Sequence, residues 1–311
     1  MKRLLTLAAL LALLIPAHAA ADQPLLDGVK RVVFLGDSIT YAGQYVEFVE
    51  AYFRSRNPTR AVEFLDIGLP SETVSGLSED GHAGGKFPRP DVHERLERVL
   101  SKSKPDLVVA CYGMNCGIYL PFAEERLAKY RDGLERLRKA CAAHGAKVLH
   151  VTPPTFDEVK GGHPGYGATL DRYSEWLLGQ RKVGWDVVDL HAPMNRYLAD
   201  QRARDPKFFL AGDGVHCNET GHWLMAKQVL LHLGAKDLAD VADAKAMLAG
   251  HPNGDALLKL IQQRQRMLKD AWLTDTKHIR PGMKTGLPLD EAQAKAAELE
   301  RKIVEAANEK R

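Results

Sequence analysis

The sequence predicts an α/β domain in which a parallel sheet lies between two helical layers, with a helical appendage at the C-terminal end. Short apolar runs rich in β-branched residues alternate with longer amphipathic segments, the order of repeated βα units. The short runs show little in/out alternation, as expected of strands covered on both faces. Beyond residue 250 nothing strand-like remains.

Taken in order, the strand-length runs fall at 32–35, 62–67, 107–112, 147–151 and 186–190. Helical patterns separate them at about 42–55, 91–103, 122–144 and 168–182, and another follows at 218–232. Residues 255–272 and 289–310 read as two amphipathic helices rich in Leu, Ala, Lys, Glu and Gln. They are joined by the segment Lys277-His278-Ile279-Arg280-Pro281-Gly282-Met283, which carries the proline and glycine of a connector. With 311 residues, 45% of them hydrophobic, the chain can bury one sizeable core.

The first segment is set apart from that core. Lys2 and Arg3 give a basic start, residues 4–15 an apolar run and Ala17-His18-Ala19 a small-residue cleavage pattern, which together predict a secretory signal peptide. The run is too short for a bilayer span, which takes ~20 apolar residues, so no permanent membrane anchor is expected. The predicted organisation is a leader over 1–20, one α/β domain over 21–250 and a helical extension over 251–311. The product is expected to be exported, periplasmic or secreted. The formal net charge is +3, two units of which belong to Lys2 and Arg3. The remainder has no single-sign field of the kind nucleic-acid binding requires. Export permits disulfides among Cys111, Cys116, Cys141 and Cys217, and sequence alone does not choose among the three full pairings. Their spacings match no zinc-site pattern.

The chemistry-bearing residues sit where the predicted strands end. In open α/β sheets ligands bind beyond the carboxyl ends of the strands, where strand order reverses. Gly36-Asp37-Ser38 follows the first strand and places a serine hydroxyl there. After the second strand comes Asp66-Ile67-Gly68, where a glycine lets a backbone N–H approach a substrate closely. After the third comes Gly113-Met114-Asn115, whose carboxamide can donate through its NH₂. Acyl transfer needs such donors, because attack on a carbonyl puts negative charge on its oxygen. The last block, Asp213-Gly214-Val215-His216, supplies an imidazole base and a carboxylate three residues earlier to hold its tautomer. The candidate catalytic residues are thus Ser38, Asp213 and His216, with Gly68 and Asn115 as oxyanion donors. A metal loop built from Asp213, His216 and His222 is the competing reading of this stretch. It lacks accompanying ligand spacing, and His222 reads better as helix packing.

These four blocks, in this order, resemble the SGNH/GDSL hydrolase family over roughly residues 29–235. The resemblance implies a flavodoxin-like three-layer α/β/α sandwich with about five parallel strands in the order 2-1-3-4-5. It implies ester hydrolysis through an acyl-serine without metal or organic cofactor, and it adds the backbone N–H of Ser38 as a further oxyanion donor. Four positions depart from the family pattern. Asp66 stands where asparagine is usual, Ser71 where a second glycine is common, Cys116 where aspartate often follows the asparagine, and Cys217 where proline usually follows the histidine. Cys116 adjoins Asn115 and Cys217 adjoins His216, so a disulfide stapling the two loops is one candidate pairing on adjacency and export, with the pairing left open.

For the substrate, the loops 78–89 and 161–166 are mostly polar and suit a hydroxyl-rich ligand, with Tyr112, Tyr119 or Trp223 as stacking surfaces. The expected substrate is a small acyl ester, acetyl above all, on a carbohydrate, whether a small molecule or a polysaccharide. Alternatives are a lipid or aryl esterase, a thioesterase, or a non-catalytic carbohydrate-binding protein on the same scaffold. Lys86 and Arg89 are candidates for contact with an anionic polysaccharide. His278 and Arg280 are candidates for reaching the site from the extension.

Overall fold

The computed structural model describes residues 26–309; the expected leader over 1–20 lies outside them. Five parallel strands form one sheet in the order β2-β1-β3-β4-β5, the order the family resemblance implies. The strands are β1 (Arg31–Gly36), β2 (Glu63–Asp66), β3 (Leu107–Cys111), β4 (Lys147–Val151) and β5 (Asp186–Val188). β1 is central to the site, pairing Val33 with Leu65 of β2 on one side and with Val108 of β3 on the other.

Successive strand residues enter opposite cores, as a period of two requires. Val32, Phe34, Phe64, Val109 and Leu149 face one layer. Val33, Leu35, Leu65, Val108 and Ala110 face the other. The helices, in chain order, are α1 (Ser38–Ala42), α2 (Gln44–Arg56), α3 (His82–Gly85), α4 (Val92–Ser103), α5 (Glu124–Ala143), α6 (Glu158–Gly161), α7 (Tyr166–Gly179), α8 (His191–Arg204), α9 (Glu219–His232), α10 (Ala244–Leu248), α11 (Gly254–Thr276) and α12 (Leu289–Asn308). The first layer is built from α2, α8 and α9, and the second from α4, α5 and α7.

α8 has no counterpart in the sequence-based expectation. Its only buried residues are His191, Met194 and Leu198, a narrow apolar face, and Pro193 lies within it. Proline is tolerated in a first helical turn, where the N–H has no intrahelical acceptor.

The C-terminal helices wrap on the domain, as the sequence suggests. α11 packs along α2 and β2, and α12 packs on α11. α11 feeds Leu257 and Ile261 into the first core and Leu268, Trp272 and Leu273 into the second, so it crosses the open edge of the sheet at β2. Gln265 donates to the Phe64 carbonyl at 2.8 Å. The helix thereby covers a strand edge that would otherwise present unpaired backbone.

The candidate disulfide between Cys116 and Cys217 does not form. All four cysteines are free thiols. Cys116 belongs to the second core and Cys217 packs against the first, so the sheet separates them despite their neighbours' shared cleft. Among the described residues no helix is long and apolar enough to cross a membrane.

Candidate active site

β1 delivers Ser38 to the carboxyl end of the sheet, and the chain turns at once into α1. Asp37 caps that short helix by accepting from the Ile39 N–H at 2.9 Å. Burial, only partly offset by that bond and by the nearby His216, pushes the Asp37 carboxyl up to about 6. Asp37 is thus a buried structural cap, while the residue after it opens to the cleft.

The loop before α9 brings the base. Asn218 caps α9 through the Gly221 N–H at 3.0 Å, and its own N–H donates to the Leu210 carbonyl at 2.7 Å. Within the loop so closed, Asp213 Oδ1 accepts the backbone N–H groups of Val215 at 3.0 Å and His216 at 2.8 Å. Its Oδ2 accepts from His216 Nδ1 at 2.6 Å. Burial alone would raise the Asp213 carboxyl, but the hydrogen bonds from His216 and Val215 outweigh it and hold the group at about 2. The carboxylate is therefore ionised throughout the neutral range. With Nδ1 donating to it, a neutral imidazole offers Nε2 as an acceptor. That nitrogen lies 2.8 Å from Ser38 Oγ. Hydroxyl, imidazole and carboxylate, 178 residues apart at the extremes of their contact, form one hydrogen-bonded line.

The candidate oxyanion donors are placed less uniformly. Asn115 is 4% exposed and lines the cleft with Ser38. Its Nδ2 donates one hydrogen to the Glu72 carbonyl at 3.2 Å and its Oδ1 accepts from Tyr119 at 3.0 Å, which leaves the second N–H for a ligand. Gly68 departs from expectation. Its N–H donates to Asp66 Oδ1 at 2.9 Å, and the cleft wall after β2 is made by Pro70 and Ser71. Glycine is needed there for close packing, since a Cβ would sit 2.5 Å from the Tyr41 backbone nitrogen. The acceptor is Asp66, one of the positions departing from the family pattern. Burial pushes its carboxyl up to about 7, against the opposing charge of Lys269 on α11.

Beneath Asn115 lies an ion pair that the sequence reading did not single out. Arg95 of α4 donates to both oxygens of Glu72, Nε to Oε1 at 2.6 Å and Nη2 to Oε2 at 2.8 Å. The Tyr112 hydroxyl donates to Glu72 Oε2 at 2.7 Å, and Arg95 also reaches the Ile67 carbonyl. Glu72 and Arg95 are 0% and 1% exposed. Because the backbone of Glu72 also anchors Asn115, the pair positions a candidate oxyanion donor. Glu72→Ala is expected to cost about 3–5 kcal/mol in denaturant unfolding by stranding a buried guanidinium. A loss below about 1 kcal/mol would mean that solvent reaches Arg95.

The cleft encloses about 610 Å³. Both polar loops singled out in the sequence contribute to its wall, through Glu79, His82 and Arg89 on one side and Gly161 and His163 on the other. Arg89 grips Glu79 with Nε and Nη2, each at 2.6 Å, and lies over the Tyr119 ring. Of the three proposed stacking residues only Tyr119 lines the cleft; Tyr112 and Trp223 are each 1% exposed. His222 faces the core, stacked on Tyr45.

The GDSL-like lipase/acylhydrolase family model matches residues 34–224, and the chain belongs to that family. By family it is a carboxylic ester hydrolase. No curated protein is significantly similar to it. Among solved structures it is similar to the acetylxylan esterase Axe2 from Geobacillus stearothermophilus, with 22% identity and a TM-score of 0.51, over 66% of this chain and 94% of that one. Alanine variants of that enzyme at a serine, an aspartate and a histidine are described as catalytic mutants. The chain is also similar to BT4096, a gut microbial diltiazem-metabolizing enzyme, with 22% identity and a TM-score of 0.53 over 66% of this chain. It spans about half of that protein, 47%.

Proposed function

We propose that the protein is an exported serine esterase that removes a small acyl group, acetyl above all, from a carbohydrate. The observation that carries this reading is the hydrogen-bonded line Ser38–His216–Asp213 opening into a cleft whose wall combines the charged and polar side chains of Glu79, His82, Arg89 and His163 with apolar surface from Ile118, Tyr119 and Leu120. Export is supported by the basic, apolar and small-residue order of residues 1–20. The similarity to an acetylxylan esterase supports the substrate class.

In the proposed reaction Ser38 Oγ attacks the acyl carbonyl as His216 Nε2 takes its proton. The Ser38 N–H and the second Asn115 N–H meet the oxyanion that forms. His216 returns the proton to the departing sugar hydroxyl, leaving an acyl-serine. Water, deprotonated by the same nitrogen, then hydrolyses that ester and restores the serine. Asp213, ionised throughout, stabilises the imidazolium at each transfer.

Hydrolysis of p-nitrophenyl esters from acetate to octanoate tests the reading. The expected rank has acetate first and is unaffected by a chelator. Leu120, which lines the cleft and is 44% exposed, offers some apolar surface and favours longer chains as the second reading. A rank led by octanoate makes that second reading the correct one, and loss of turnover on chelation rejects both.

A further inference from the structure

The connector between α11 and α12 brings a guanidinium to the cleft that holds Ser38 and His216: Arg280 forms part of its wall. The connector is held at both ends. Arg98 of α4 donates to the carbonyls of Thr276 at 2.8 Å and Lys277 at 2.7 Å. Farther along, the Gly286 N–H donates to Thr274 Oγ1 at 2.8 Å, and a Cβ at Gly286 would lie 2.2 Å from the Asp270 backbone. Arg280 therefore projects from a fixed loop.

The charges around it are unequally satisfied. Glu79 is committed to Arg89 and to His82, whose Nδ1 lies 3.1 Å away. Asp213 is committed to His216. Arg280 has no carboxylate partner among the described residues. Its Nη1 meets only the Pro281 carbonyl and the Met283 sulfur, each at 3.1 Å, and its Nε is buried without a hydrogen-bond acceptor. The guanidinium lies over the Phe87 ring at 5.1 Å. The other side of this small cluster is His82, edge-on to Phe87 and with its Nε2 also buried and unpartnered. An aromatic face leaves the in-plane donors of a guanidinium open, and those donors match the two oxygens of a carboxylate.

We propose that Arg280 forms an anion subsite, so that the preferred substrate is an acylated saccharide carrying a carboxylate, such as an O-acetylated uronate. This rests on the esterase reading of the same cleft and narrows its substrate class. The residue lies outside the family-matched region 34–224, so the subsite is a contribution of the C-terminal extension to a site otherwise built by the family domain.

The test compares acetate release from a mono-acetylated methyl glucuronide and from the matching methyl glucoside, with p-nitrophenyl acetate as a third substrate. The quantity read is the uronide-to-glucoside ratio of kcat/KM. In the wild type it should exceed one by roughly 10- to 100-fold, the worth of a charge-assisted pair, and fall as ionic strength rises. Arg280→Gln should bring the ratio toward one, and Arg280→Glu should drive it below one, an inversion that partial misfolding cannot produce. Hydrolysis of p-nitrophenyl acetate with no preference for the uronide, or a ratio untouched by either substitution, overturns the anion subsite alone. Absence of turnover on all three substrates overturns the esterase reading and the subsite with it.

Discussion

Under the proposed mechanism, Ser38→Ala is expected to lower kcat on p-nitrophenyl acetate by on the order of 10⁵-fold, with little change in thermal stability. The magnitude is that of losing the proposed covalent step outright, by comparison with serine hydrolases in which the nucleophile has been removed. The stability expectation follows from position. Ser38 is half-buried at the mouth of the cleft, and its side-chain bond to His216 is solvent-accessible, whereas the cap of α1 is made by Asp37. His216→Ala should cost a similar factor, and the double variant should be no worse than either single one, because both remove the same step. Asp213→Asn should cost about 10⁴-fold, since an amide in place of the carboxylate cannot stabilise the imidazolium and favours the wrong tautomer. Three single variants and one double, assayed on one substrate, check the set. A Ser38→Ala protein within tenfold of wild type would remove the serine as nucleophile, and additive losses in the double variant would mean the two residues act in separate steps.

The legibility of this site in the sequence varied with the kind of constraint involved. The strand order was implied by the family resemblance, and every strand core fell within a short apolar run because a parallel strand buried on both faces tolerates little else. Ser38, Asn115 and the Asp213-His216 pair were readable because each follows a strand end or precedes a helix, where short polar motifs stand out. Gly68 shows the limit of such reading. A glycine needed for close backbone packing and a glycine needed to bare an N–H are the same letter, and only the bond to Asp66 separates them. The Glu72–Arg95 pair was invisible because its members are 23 residues apart on a loop and a helix, and a buried ion pair has the same letters as two solvated charges. The disulfide expectation failed for a related reason: adjacency to cleft residues says nothing about which face of the sheet a side chain enters.

Deleting residues 254–311 is expected to abolish cooperative folding of the remaining chain, the largest stability effect the structure implies. Amphipathic patterning revealed α11 and α12 as an appendage wrapped on the domain, but not which residues they bury there. In the fold they complete it. Leu257, Ile261, Leu268, Trp272, Leu273 and Ile303 are all buried, in two cores on opposite faces of the sheet. The surfaces they cover on α2, β2 and α4 would be bared together, and each such side chain is worth roughly 1.5–3 kcal/mol of burial. The polar losses reinforce this. Glu50 of α2, fully buried, is held by Arg264 and by Gln265 at 2.7 Å, and after deletion only Arg54, at 3.5 Å, would remain. Asp66 would lose Lys269, the nearest cation opposing its ionisation. Losses of this size approach the ~5–15 kcal/mol that holds a whole domain together, although the truncated chain has fewer residues to order. Purified truncated protein should be insoluble or lack a cooperative thermal transition. Point substitutions should grade the effect: Trp272→Ala, in the second core, should cost about 3–5 kcal/mol. A truncated chain that melts cooperatively near the wild-type temperature and still hydrolyses p-nitrophenyl acetate would show the two helices to be dispensable, and would confine the extension's role to what Arg280 contributes at the cleft.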